Sequence, residues 1–269
     1  MLSSIFLSIG VNVHTFYLPF YFQSAKGLTA AASGIRLLPY LLSITIVQVV
    51  VGIGVAMLGV YLPFMWSGAA IFAVAAGLMY TLNVTTGTAR IIGYQILAGV
   101  GFGSSLQLCA TAMRASVGEI DIPIASALSV FAPFFGGALA ASIAQNVFRS
   151  TLTRYLLHSV LSSQAAEIVA AGATGGVNLV TDSQKGIVLE AYNYAVTRTF
   201  ILSVGAAGIG FFCTLGIEWK NIKKSQSSLV ENSREKVETP KNETRMEKDT
   251  GETEATSEIL NIGSKTNKA

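Results

Sequence analysis

Long stretches without any Asp, Glu, Lys or Arg alternate along this chain with short stretches that carry them. Residues 1–25, 37–89, 91–113, 122–148 and 199–217 hold no charge at all. A bilayer core about 30 Å thick takes roughly 20 apolar residues in a helix to cross. Four of the windows fit one crossing each. The window 37–89 fits two, joined by a turn at Gly59–Tyr61, with Pro63 placed to open the next helix where its missing N–H costs nothing. The pattern predicts an all-α membrane protein, with spans over residues 2–22, 37–58, 63–82, 91–113, 122–148 and 195–217 forming a single bundle within 1–220.

Between the fifth and sixth spans the pattern breaks, which predicts a non-membrane segment over 149–194. Leu152, Tyr155, Leu156, Val160 and Leu161 recur there at helical spacing, with Arg154, His158 and Ser162 among them. That arrangement predicts a short amphipathic helix on the membrane surface or capping the bundle. The Gly-rich stretch AGATGGVNLVTDSQKG after it reads as a polar loop. Pro133, in mid-span, predicts a kink because it removes one backbone hydrogen bond. Residues 221–269, dense in Glu, Lys, Thr, Asn and Ser, read as a disordered tail that cannot bury enough apolar surface to offset its own ordering.

Composition sharpens this. Only 12% of the 269 residues are charged, and the acids before residue 218 are limited to Glu119, Asp121, Glu167, Asp182 and Glu190. None of those lies in a span, so the predicted spans hold no carboxylate. A net charge of +3 without a clustered basic face predicts no nucleic-acid partner. His14 and His158 lie far apart, and no grouping of His, Asp, Glu or Cys has metal-ligand or catalytic spacing. No catalytic residue, metal or cofactor is expected, and membrane lipid is the first partner. Cys109 and Cys213 each sit within an apolar span and read as packing residues. Lys220, Lys223 and Lys224 place the C-terminus in the cytoplasm. The sequon Asn83-Val84-Thr85 then lies on the opposite side, where it is a glycosylation candidate, whereas Asn242-Glu243-Thr244 does not.

Within the spans, Gly99-Val100-Gly101-Phe102-Gly103 has the spacing of a nucleotide loop but lies in mid-membrane. Gly99, Gly101 and Gly103, with Gly136, Gly137, Ala141 and the Gly205–Gly210 cluster, therefore read as helix-packing residues. Polar side chains in hydrocarbon need a partner. Gln48, Gln95, Gln107, Gln145 and Asn146 fit either interhelical hydrogen bonds or contact with a substrate path, and Tyr17 fits either an interfacial belt or that path. His14 fits a neutral structural histidine or a proton relay. Arg198 fits a snorkelling side chain or a partner for Glu190.

Six spans without a catalytic cluster, an Arg-rich voltage-sensing helix or a potassium filter leave half of a transporter as the best-supported architecture. Several stretches then carry a resemblance: FYLPFYFQSAKGLTAAASGIRLLP, IGYQILAGVGFGSSLQ, DIPIASAL, GGALAASIAQNVF, AYNYAVTRTF and GIEWK, in that order. The chain resembles the C-terminal half of fungal major facilitator transporters, nearest to the fourteen-span drug:proton antiporters that include toxin and multidrug efflux pumps. The resemblance implies two bundles of six helices, each an inverted repeat, with substrate bound between them near the midplane. It also implies export of a small organic molecule, such as a drug, toxin or secondary metabolite, in exchange for protons, in the plasma membrane or an internal membrane such as the vacuole. Against that family the chain begins at the ninth span, so proton-coupling carboxylates are expected from a missing N-terminal half. A truncated or regulatory protein, or a half-transporter working as a homodimer, are the alternatives.

Overall fold

A computed structural model describes residues 1–159 and 161–216. They fold into helices α1 (Leu2–Ser24), α2 (Ala30–Leu58), α3 (Leu62–Tyr80), α4 (Thr88–Ala115), α5 (Ile122–Leu157), α6 (Ala165–Ala170), α7 (Gly172–Asn178) and α8 (Asp182–Leu215), with single 3₁₀ turns at Glu119–Asp121 and Ser162–Gln164. Six of them, α1 to α5 and α8, are long and apolar enough to cross a membrane. The tail beyond residue 220 and the exit of the last span lie outside the described residues.

Local chemistry sets the helix ends. Thr29 opens α2, its hydroxyl accepting from the Ala32 N–H at 3.3 Å. Gly59 closes α2 with φ 75°, a left-handed conformation that a side chain would strain. Pro63 and Pro123 sit in the first turns of α3 and α5. Both cysteines are free thiols, and the Ser3 hydroxyl lies 3.3 Å from Cys109 Sγ.

Two expectations for residues 149–194 need correction. The separate amphipathic helix does not exist: α5 runs unbroken through Pro133 and past Phe148 to Leu157. The charge-free run ends at Arg149, but no Gly or Pro follows before Gly172 to end the helix, so its hydrogen-bonded ladder continues to Leu157. Leu152 and Leu156 are buried on its inner face, while Val160 lies outside the described residues. The segment read as a polar loop is largely helical too, forming α7 and the first turn of α8, which starts at Asp182 rather than near residue 195.

α1 is the hub. It packs on α8, α5, α2 and α4, while α3 lies against α4 and α8, and α2 rests mainly on α4. Close approach is carried by glycine: a Cβ on Gly103 would lie 2.7 Å from the Ile44 carbonyl oxygen of α2, and one on Gly136 would lie 2.5 Å from that of Ile5. A Cβ on Gly99 would meet Ser43 Oγ and the Tyr40 carbonyl, and one on Gly101 would meet the Phe72 backbone. Gly137 meets only the Asn12 side chain, at 3.2 Å. Gly205 and Gly208 face open space, which corrects their reading as packing residues, whereas Gly210 abuts Leu7. Ala141 is exposed.

Candidate functional site

Two polar groupings stand out in an otherwise apolar bundle, one inside it and one on its surface. The inner one centres on His14, midway along α1 and fully buried. Its Nε2 lies 2.9 Å from the Ser203 hydroxyl of α8, and that hydroxyl lies 3.2 Å from the Gly10 carbonyl. A hydroxyl has one proton. If Ser203 donates it to Gly10, its oxygen accepts from His14 Nε2–H, and Nδ1 is left as an acceptor without a protein partner. The rings of Tyr40, Phe72 and Phe200 surround the imidazole at centroid distances of 6.2, 5.7 and 5.4 Å.

The Tyr40 hydroxyl and both amide atoms of Gln95 are likewise buried with no hydrogen-bond partner. Gln95 sits one turn before Gly99 on α4, and a Cβ on Gly99 would meet the Tyr40 carbonyl of α2. Buried polar groups in native proteins nearly always have partners. Several unpartnered atoms from α1, α2 and α4 are therefore a concentration of stored polarity, suited to water, a ligand or a second packing of the bundle.

The surface grouping lies along α1 and α5. Tyr17 is buried at its floor and donates its hydroxyl to Gln145 Oε1 at 3.2 Å. The groove, about 320 Å³, runs from Asn12 past Phe16, Tyr17 and Phe20 on one side, with Ala141, Ala144 and Gln145 on the other. Asn146 is exposed, donates to the Ser142 carbonyl of its own helix, and lines a second cavity beyond the end of the groove.

The remaining sequence candidates are scattered. Gln48 is half-buried on α2 and Gln107 is exposed on α4, so Gln107 does not enter the bundle interior. Arg198 does not pair with Glu190; its Nη1 donates to the Tyr80 hydroxyl at 3.4 Å and its guanidinium lies 4.9 Å over the Tyr194 ring. Asn83 is exposed on a loop whose backbone is pinned: its carbonyl accepts from the Tyr21 hydroxyl at 2.7 Å, and Lys26 Nζ donates to the Val84 and Thr86 carbonyls.

Tyr40, Asn12 and the packing residue Gly68 escaped the sequence reading. Tyr40 and Asn12 are single polar side chains inside charge-free windows, and that was the available signal. Gly68, in a run of small residues, would collide through a Cβ with Ser104 and Ser105 at 2.6 Å.

Comparison with known proteins gives this geometry its setting. No family model matches the chain. It is 38% identical over 225 residues to the MFS-type transporter astH of Aspergillus oryzae, covering 84% of this chain and 40% of that protein. It is 35% identical over 212 residues to the efflux pump hmp6 of Hypomyces subiculosus, covering 79% of the chain and 38% of the pump. The efflux pump roqT of Penicillium rubens is 31% identical over 230 residues, covering 84% and 43%. The chain is a homologue of the fungal MFS-type transporters. With its spanning helices, that makes it a multi-pass membrane protein. It spans about two fifths of the length of these relatives. The bundle thus holds a buried polar cluster and, on its surface, a largely apolar groove that carries Asn12 and Gln145.

Proposed function

We infer that this bundle serves export of a small organic molecule, acting against a second six-helix bundle supplied by a longer chain or by another copy. The observation that carries the reading is the groove from Asn12 to Gln145. The groove is largely apolar with the Asn12 and Gln145 amides along it, Asn12 donating to the Ser8 carbonyl and Gln145 accepting from Tyr17, and this mixture supports a path between bundles. The groove is walled by Phe16, Tyr17 and Phe20, which fits an amphipathic passenger. Names of the relatives, MFS-type transporter and efflux pump, point the same way.

In this reading Gln95 and Tyr40 are polar groups that the path reaches when the bundle rocks, and His14 is a candidate proton relay. Proton antiport draws on carboxylates of the opposing bundle, because none lies within the charge-free runs here. The chain acts as a transporter and not as an enzyme, in the plasma membrane, with its C-terminus in the cytoplasm and Asn83 glycosylated on the far side.

The test is accumulation of a fluorescent amphipathic dye in pump-deficient yeast expressing the chain alone, or together with the remaining bundle of astH. Reduced accumulation in either strain, reversed when the proton gradient is collapsed, is the expected result. Accumulation unchanged in both strains overturns the reading. Reduced accumulation that survives collapse of the gradient retains export and removes antiport.

A further inference from the structure

Where α5 leaves the membrane and α8 enters it, the two helices enclose a cavity of about 740 Å³. The charge-free windows fix its height. On α5 the uncharged run 122–148 ends against Arg149, and on α8 Arg198 stands immediately before the run 199–217. The cavity therefore lies beside the ends of both uncharged runs, where a bilayer's hydrocarbon would give way to headgroups. Its walls carry Arg154, Tyr155 and His158 from α5 and Glu190, Tyr194 and Arg198 from α8. The Tyr155 and Tyr194 rings lie 5.3 Å apart at 42°, and the Arg198 guanidinium lies 4.9 Å over the Tyr194 ring and donates to the Tyr80 hydroxyl at 3.4 Å. Arg154 and His158 also wall a neighbouring cavity of about 520 Å³ that Arg149 enters.

The charges here are unbalanced. Glu190 is the one carboxylate lining either cavity among the described residues. The single ion pair among those residues, Lys185 to Asp182 at 2.7 Å, lies elsewhere. Arg149, Arg154 and Arg198 thus reach these spaces with no carboxylate bound to them. A guanidinium is planar, permanently charged and shaped to hold a carboxylate through two parallel hydrogen bonds. Tyrosine rings and a guanidinium plane accept a flat ring against them. The cavity's size falls within the span of small-molecule sites, roughly 300–1,000 Å³.

We propose that this cavity binds an aromatic organic anion, with its carboxylate or sulfonate held between Arg154 and Arg198 and its ring system laid against Tyr155 and Tyr194. The proposal rests on the export reading in one respect: it makes the passenger, or one class of passenger, a flat organic acid gathered at one mouth of the path. His158, Ser150 and Ser159 add hydrogen-bonding groups around the acid. Glu190 opposes it and sets an upper limit on affinity.

The experiment is equilibrium binding of 2-naphthoate and of the neutral 2-naphthalenemethanol to the whole chain in nanodiscs of zwitterionic lipid. The acid is expected to bind at least about tenfold tighter than the alcohol, the scale of a charge-assisted pair of hydrogen bonds. Arg154→Gln with Arg198→Gln should erase that preference and leave the alcohol unaffected. Glu190→Gln should tighten the acid several-fold, a gain that misfolding cannot produce. Equal affinity for acid and alcohol overturns the proposal, as does a preference that survives loss of both arginines. Displacement of naphthoate by inorganic phosphate as readily as by unlabelled naphthoate overturns it in favour of a simple anion site, and displacement by anionic lipid added to the nanodisc in favour of a lipid site. Binding that persists while dye efflux fails leaves the site standing and removes the export reading. Efflux without binding removes the site alone.

Discussion

α2 and α4 are nearly the same length, 29 and 28 residues, and both are apolar enough to cross a membrane, yet they are buried to very different degrees. In the most apolar stretch of α2 only 6% of residues are buried, against 56% in α4. The more hydrophobic helix is the less buried one. In water the order would be reversed, because burial there is driven by removing apolar surface from solvent. In a bilayer the lipid is as apolar as leucine, so helices are drawn together by close fit and by hydrogen bonds. α4 supplies the fit through Gly99, Gly101 and Gly103, which let the backbones of α2 and α3 come within contact. α2 meets it with one narrow face, Tyr40 and Ser43, and turns Leu38, Leu42, Ile46, Val49 and Ile53 outward.

The sharpest way to break this comparison is to place the same side chain on both helices. Gly101→Leu on α4 drives a side chain into the Phe72 backbone and the Gly68 carbonyl, and Gly103→Leu drives one into Ile44. Each should cost about 3 kcal/mol or more and eliminate monodisperse protein on size-exclusion chromatography in detergent. Gly52→Leu on α2 meets nothing within 4 Å. It should leave the chromatogram intact and raise the unfolding temperature slightly, since glycine inside a helix costs roughly 0.5–1 kcal/mol. Comparable losses for both helices would refute the assignment of close fit to α4.

Next in size is Gln95→Leu. Its amide is buried without partners, so an apolar replacement of similar length should stabilise the bundle by about 1–3 kcal/mol while reducing dye efflux in the paired bundles. A fall in unfolding temperature would mean that the amide is paired in the membrane and has no free polarity to offer a passenger. Smaller still is Ser203→Ala, which strips His14 Nε2 of its partner and should cost about 1 kcal/mol. His14→Phe added to it should recover most of that loss, and a double variant no better than Ser203→Ala alone would show that the histidine contributes nothing through this bond.

How far the sequence could foretell this arrangement depends on what each signal measures. Missing charges report the hydrocarbon, and the six spans follow from them. Charges do not report helix ends, so α5 outran Arg149 to Leu157 and α8 began at Asp182. Polar residues inside spans announce a need for partners but not a direction. Gln95 and Gln107, twelve residues apart on one helix, therefore looked equivalent, although one is fully buried and the other exposed. The direction is set by neighbouring helices, and only their packing shows that Tyr17 reaches Gln145 while His14 reaches Ser203.

The smallest effect concerns the loop that ties α1 to the start of α4. Lys26 leaves the end of α1 and donates to the carbonyls of Val84 and Thr86, and burial, with the Arg36 charge adding to it, lowers its pKa from the ordinary 10.5. A lysine with a lowered pKa in the folded state binds fewer protons there than in the unfolded chain. Stability therefore rises with pH between the depressed value and 10.5. Lys26→Met removes both hydrogen bonds and that pH term together. At neutral pH it should cost well under about 1 kcal/mol, since the lost bonds are partly offset by the charge no longer desolvated. As pH is raised toward 10.5, the unfolding temperature of the unsubstituted chain should climb relative to Lys26→Met. A difference between the two that stays constant over that range would mean the ammonium is as well solvated in the loop as in the unfolded chain, and that the carbonyls of Val84 and Thr86 do no more for it than water.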